Sequence, residues 1–357
     1  MQSALSAPSR ATFSRMGAFI DSLPPNTAGA GQNPYAAAVL AAVVAKRFDP
    51  IPWTYITVGR VKLAVFSKPM AFEGVYLAAG AGLLQQIADV LGCSLLTPKI
   101  SDQMYVQSST KILPWLDYDP SRMMTIAWFK RSTAGINALL AKAGYTNGLA
   151  MGIGKPWQLD NDLLLHPGRS ENYGLYVPAN LCPGGRYSGV ATEASVSLPA
   201  NRVRLLQGRG WAHTLGQSDY SELISLVNRN CEVDGQLRDL VDVLRDPDLA
   251  QYVSHNGPLK IVRQPGVPFV SYVGGVGGGG SVGGGADGRT AAPFAVSSLP
   301  PEDGPEEPPA PLPPPVPMSS LQPSDRTNAI VGGILVVATA VGAGLALRRW
   351  RARHATR

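Results

Sequence analysis

The stretch WTYITVGRVKLAVF, residues 53–66, decides the fold class. Its two runs, WTYITV (53–58) and VKLAVF (61–66), are rich in β-branched and aromatic residues, which suit a pleated, half-buried surface. Shortly after them, GLLQQIADVLG (82–92) spaces its apolar residues as one face of a helix does. This mixed order of strands and helices points to an α+β fold, a single globular domain over 34–265.

The same reading extends outward. YAAAVLAAVVAK (35–46) is expected to be helical. A second helix is expected within 97–109, with Ser101 as its N-cap. MMTIAWF (123–129) reads as a strand, and STAGINALLAKAGY (132–145) as a helix with Gly148 beyond its end. From 148 to 215 the pattern is strands and turns: GLAMGI, WQLDNDLLL, ENYGLYV, ATEASVSL and RVRLL. SELISLVNR (221–229) and GQLRDLVDVLRD (235–246) read as helical, at least in part. Residues 1–33, rich in Ser, Ala, Gly and Pro, are expected to be a flexible N-terminal segment.

Beyond the domain the composition changes. VGGVGGGGSVGGGADG (273–288) is expected to be a flexible linker. SLPPEDGPEEPPAPLPPPVP (298–317) is expected to be a stiffer, acidic, polyproline-like spacer. Together they make a stalk over 266–328. It leads to AIVGGILVVATAVGAGLAL (329–347), an uncharged run close to the ~20 residues a membrane-spanning helix requires. A basic tail, 348–357, follows. The expectation is a single-pass membrane protein with a C-terminal anchor.

The net charge is +6, but Arg348, Arg349, Arg351, Arg353 and Arg357 all lie after the apolar run, where there is no acid. Without those five the chain carries only +1. The basicity is therefore a membrane flank, and nucleic acid is not an expected partner. The expected partners are the membrane and a cell wall or envelope protein assembly. The Arg-rich tail favours the inside, whereas the N-terminus shows no apolar core of signal-peptide length, so sidedness stays open.

Three cysteines, Cys93, Cys182 and Cys231, form no C-x-x-C pair, and the chain has four histidines. No metal and no cofactor is expected from that inventory. A single bridge such as Cys182 to Cys231 is compatible with it. Gly148, Gly152, Gly154 and Lys155 miss the phosphate-loop spacing, and Pro156 follows the lysine. Ser108 and Lys111 match S-x-x-K, but a solvated helix end is the better reading. GRYSG (185–189) misses the nucleophile-elbow pattern by one place.

The densest polar neighbourhood is HPGRSENYG (166–174), followed by GWAH (210–213) and SDYSE (218–222). His166, Arg169, Tyr173 and Trp211 are candidate binding residues. His213 as base, Asp219 as orienting carboxylate and Ser221 as nucleophile would supply the groups a hydrolase requires. Asp219 is equally suited to cap a helix starting near Ser221. Asp246-Pro-Asp248 is turn chemistry.

These segments carry a resemblance. IADVLGCSLLTPKISDQMY (87–105), HPGRSENYGLY (166–176), SDYSELISL (218–226) and VDVLRDPDLAQYVSHNGP (241–258) resemble an uncharacterised family of bacterial proteins with no established activity. The family has Gly-His-Lys-Lys-Asp where this chain has Gly152 to Lys155. It has Tyr-Gly-Trp-His at Tyr173 to Tyr176, and Asp-Tyr-Ser-His at Asp219 to Glu222. His166, Asp219 and Ser221 match, while the other histidine positions are replaced. The resemblance therefore implies a member whose histidine cluster has been lost. It favours a membrane-tethered, non-catalytic binding or structural module of a bacterial envelope or virus-like assembly. The alternative is a membrane-anchored hydrolase acting on cell-wall peptide or glycan.

Overall fold

The computed structural model describes residues 18–27, 33–117, 119–182 and 192–270. The fold is α+β. The opening stretch forms an antiparallel hairpin. Strands β1 (Trp53–Val58) and β2 (Val61–Phe66) pair with Trp53 opposite Phe66 and Val58 opposite Val61. The connection is Gly59-Arg60. Gly59 has a φ of +60°, and a Cβ there would come within 2.1 Å of the Tyr252 ring. Both the turn and the tight approach demand glycine.

The hairpin continues into a larger sheet. Short strands β3 (Ala71–Phe72) and β4 (Val75–Tyr76) form a separate pair. Strand β5 (Cys93–Ser94) returns to the main sheet, while β6 (Thr110–Lys111) and β7 (Ala150–Met151) pair in parallel. The second sheet is built from β8 (Trp157–Gln158), β9 (Arg169–Pro178), β10 (Glu193–Ala194) and β11 (Val203–Thr214), in the order β10-β11-β9-β8. Strands β12 (Val227–Val233) and β13 (Gln236–Asp239) complete the first sheet in the order β1-β2-β12-β13, with β5 also on β12. The segment 215–226 therefore carries the chain from the second sheet to the first.

Seven α-helices are present among the described residues: α1 (Ala18–Ser22), α2 (Pro34–Val44), α3 (Ala81–Leu91), α4 (Pro98–Gln107), α5 (Ile126–Lys142), α6 (Leu240–Arg245) and α7 (Ala250–Val253). The main core joins Val61, Leu63 and Val65 of β2 to Leu84 and Ile87 of α3, with Phe129 and Trp157. Burying such side chains is worth about 1.5–3 kcal/mol each. Trp157 is fully buried and donates its indole N–H to the Ala79 carbonyl at 2.6 Å.

Several local expectations are corrected. MMTIAWF is not a strand: α5 begins inside it, because the Thr125 hydroxyl accepts from Trp128 N at 3.2 Å and caps the helix. Thr97, not Ser101, caps α4. Its Oγ1 accepts from Ile100 N at 3.1 Å, and Pro98 opens the first turn. SELISLVNR contains no helix; it is an extended segment that enters β12. GQLRDLVDVLRD is helical in part, as expected: β13 leads into α6. The packed region also reaches further toward the N-terminus than residue 34. Ile20 of α1 is fully buried, and Asn26 donates to Ser218 Oγ at 3.1 Å.

All three cysteines are free thiols, so Cys182 and Cys231 are not bridged. Lys111 Nζ donates to the Ser108 carbonyl and Ser108 Oγ to the Tyr105 carbonyl, both at 2.8 Å. That is helix-end capping. Among the described residues no helix is long and apolar enough to cross a membrane. The run 329–347, the basic tail and the stalk beyond residue 270 lie outside the described residues.

Candidate functional site

Strand β9 organises three polar clusters. Successive side chains of a strand point to opposite faces. Glu171 joins a cluster on one face and Asn172 a cluster on the other, and both residues are fully buried. Tyr173 and Tyr176 would point to opposite faces of a regular strand. Gly174 (φ +149°) and Leu175 (φ +57°) interrupt the pleat between them. Both hydroxyls then donate to Asp102 Oδ1, at 2.8 and 2.9 Å. Ser195 Oγ, Ser197 Oγ and Ser197 N donate to the other carboxylate oxygen at 2.8, 2.6 and 3.0 Å. Asp102 is fully buried, and four hydroxyls and one backbone N–H meet its two carboxyl oxygens.

The second cluster surrounds Lys155. Its Nζ lies 3.1 Å from Glu222 Oε1 and 3.6 Å from Asp219 Oδ2. Asn172 Nδ2 donates to Glu222 Oε1 at 3.3 Å, and Asp219 N donates to Glu222 Oε2 at 2.6 Å. Ser221 donates both its N–H (2.8 Å) and its hydroxyl (2.6 Å) to Asp219 Oδ1. His213 Nε2 faces Glu222 Oε1 at 3.8 Å, and its ring stands edge-on to Trp157. A register shift in β11 between Gly210 and His213 sends His213 to this cluster rather than to the face of Arg209 and Trp211.

The third cluster surrounds Arg209. Its Nη2 lies 2.8 Å from Asp160 Oδ1 and 2.7 Å from Asp162 Oδ2, and its Nε donates to Glu171 Oε1 at 2.8 Å. His255 Nε2 lies 3.2 Å from Asp160 Oδ2. The Asn256 amide, oriented to satisfy both of its ends, donates to the two Asp160 oxygens at 3.1 and 2.9 Å. The guanidinium also sits over the Trp211 ring, which stacks on His166 with centroids 4.6 Å apart. The Trp211 N–H lies beside the Glu171 carboxyl without reaching hydrogen-bond geometry.

Electrostatics follow from burial and pairing. Burial, and then the neighbouring Asp219 charge, pushes the Glu222 carboxyl up to about 7. Burial and Asp160 push Glu171 up to about 7 as well. Burial opposes ionisation of Lys155 and Asp219, yet each holds the other charged. The lysine is raised and the aspartate lowered. Burial lowers both His213 and His255.

These shifts set a pH dependence. A carboxyl raised from 4.5 to about 7 on folding contributes stability that is fully present below pH 4.5 and is lost as pH rises through 7. His213 and His255 act oppositely, since a lowered histidine costs stability as pH falls. Glu222→Gln separates the terms. The stability of the wild-type chain relative to that variant is expected to decline by about 3 kcal/mol from pH 4.5 to pH 7, read from urea unfolding at both values. A difference that does not change with pH would mean that Glu222 titrates as an ordinary carboxyl.

Of the residues singled out from sequence, His213, Asp219 and Ser221 meet at the Lys155 cluster. Ser221, however, gives its hydroxyl to Asp219, and among the described residues it has no hydrogen bond with His213. Asp219 caps no helix; it closes a tight turn onto Ser221. His166 and Trp211 meet in the stack, and Arg169 stands nearby, donating to the Ala212 carbonyl at 3.0 Å. Tyr173 is apart from that surface, with no exposed area and its hydroxyl on Asp102. A groove of about 1040 Å³, walled by Tyr35, Leu40, Leu83, Leu215 and Val267, is lined by none of the three residues of the hydrolase reading. Sequence reasoning named none of Arg209, Glu171, Asp160 and His255 as site residues, and met Lys155 only in a rejected motif and in the family resemblance. Comparison of the chain with family models, with curated proteins and with solved structures returns no match.

Proposed function

We propose that this chain is a membrane-tethered, non-catalytic binding or structural module of a bacterial envelope or virus-like assembly. The observation that carries the reading is the bonding of Ser221. Its hydroxyl donates to Asp219 Oδ1 at 2.6 Å, while His213 faces Glu222 instead. A serine turned to a carboxylate that a lysine holds ionised is not engaged by the histidine base the hydrolase reading requires. The exposed chemistry is of another kind. Half-buried Trp211 stacks on His166, Arg209 lies over its ring, and Leu165 nearby is 74% exposed. Aromatic and arginine side chains grouped with exposed apolar surface are the usual anchors of a binding face. The Gly-rich and Pro-rich stalk read from the sequence would give that face reach from the membrane.

The test uses the full-length protein in lipid vesicles, mixed with purified cell-wall fragments. Co-sedimentation without release of soluble fragments is expected, and Trp211→Ala should weaken it about tenfold. Soluble wall products whose appearance requires both His213 and Ser221 would establish the hydrolase reading instead.

A further inference from the structure

We propose that the Lys155 amine and the Asp219 side-chain carboxyl condense into an intramolecular amide, with Glu222 carrying the protons and Ser221 holding the oxyanion. The inference does not depend on the functional reading above. Four features of the Lys155 cluster support it.

The first is approach. Lys155 Nζ stands 3.6 Å from Asp219 Oδ2, longer than the roughly 2.7–2.9 Å of an optimised charge-assisted hydrogen bond. The two groups attract as ions, yet their separation stops short of a closed hydrogen bond. The backbone enforces this, because Lys155 N donates to the Ser221 carbonyl at 2.8 Å. Gly154 permits it, since a Cβ there would come within 2.6 Å of the same carbonyl oxygen.

The second is the oxyanion. Ser221 N–H and Oγ–H both point at Asp219 Oδ1, at 2.8 and 2.6 Å. Two preorganised donors on one oxygen are what a tetrahedral intermediate requires. The third is a proton carrier. Glu222 Oε1 is 3.1 Å from Nζ, and the Asp219 backbone N–H holds Glu222 Oε2 beside the reacting carboxyl. Its carboxyl, pushed up to about 7, can both take and return a proton near neutrality. The fourth is dryness. Lys155, Ser221 and Glu222 are all buried, and among the described residues nothing partners the buried Oδ1 of Asn172 beside them. Condensation replaces two buried charges with one neutral amide, which removes the desolvation cost of both. It also places the product where water is excluded.

The step balances within the chain. The Lys155 ammonium passes one proton through Glu222 to Asp219 Oδ2, and the free amine attacks the carbon of the resulting neutral carboxyl. Charge gathers on Oδ1 under the Ser221 donors. The nitrogen then gives up a second proton, the bond from carbon to Oδ2 breaks, and Oδ2 leaves with both protons as water. Glu222 ends as it began. The bond would clasp the segment leading into β8 to the 215–226 crossover between the sheets.

The experiment is intact mass measurement of the denatured full-length protein, followed by digestion and tandem mass spectrometry. The expected result is a chain lighter than its sequence by one water, with a branched peptide joining Lys155 to Asp219. In Glu222→Gln, checked for folding by circular dichroism, the water loss should disappear. A wild-type chain at full sequence mass overturns the proposal without reference to any variant. So does a water loss that maps elsewhere, such as a succinimide at Asp234-Gly235, or a link from Lys155 to Asn172 with loss of ammonia.

Discussion

Replacing Arg209 with methionine is expected to lower the unfolding free energy by about 3–5 kcal/mol. Methionine keeps an unbranched apolar stem against Trp211 and removes the fork of donors. Asp160 and Glu171, both fully buried, then lose the cation that lies 2.8 Å from each. Asp162, 34% exposed at its side chain, would regain water and matter less. Burial already raises Asp160 and Glu171, so the variant should protonate them and recover part of its stability in mild acid. Arg209→Lys should fall between the two, because it restores the charge but cannot address three carboxylates with a planar fork. Urea midpoints of the three proteins at neutral and mildly acid pH give the comparison. A methionine variant that unfolds at the wild-type midpoint would mean that the guanidinium does not hold this face together.

A similar loss, about 3–5 kcal/mol, is expected for Lys155→Met measured against the uncondensed chain, which carries the charged pair. Asp219 and Glu222 would then face each other with no cation between them. Asp219, held low by the lysine, should rise toward the protonated state, and the penalty should shrink as pH falls. The double replacement Lys155→Met with Glu222→Leu should recover part of the loss, because an apolar pair costs less to bury than one unpaired charge. If the double variant is no more stable than the single one, the cluster is held by packing around it and not by charge balance.

The hairpin at 53–66 was legible because both of its runs are strand formers, and α3 because its apolar spacing is helical. MMTIAWF misled because its composition suits a strand while Thr125 supplies a cap, and a hydrogen bond outranks a weak propensity. SELISLVNR misled in the opposite direction. Its apolar spacing suits a helix, but the chain must cross there from one sheet to the other. The polar clusters were legible only as composition. Arg209 is drawn to Glu171 by the pairing of β11 with β9, and to Asp160 by the chain beyond β8. Lys155 is drawn to Glu222 across 67 positions of sequence. No local pattern records such meetings, and the β11 bulge that separates His213 from Trp211 is signalled only by the glycines Gly208 and Gly210 within the strand.

Strand β9 is also the alignment key of the domain. Three consecutive residues, Glu171, Asn172 and Tyr173, each enter a different buried cluster. A slip of one residue would leave Arg209, Glu222 and Asp102 facing the wrong partners together, with apolar or mismatched groups in their place. Near-native pairings are thereby penalised at three sites simultaneously. The second sheet should assemble in one register, with few long-lived, half-correct intermediates.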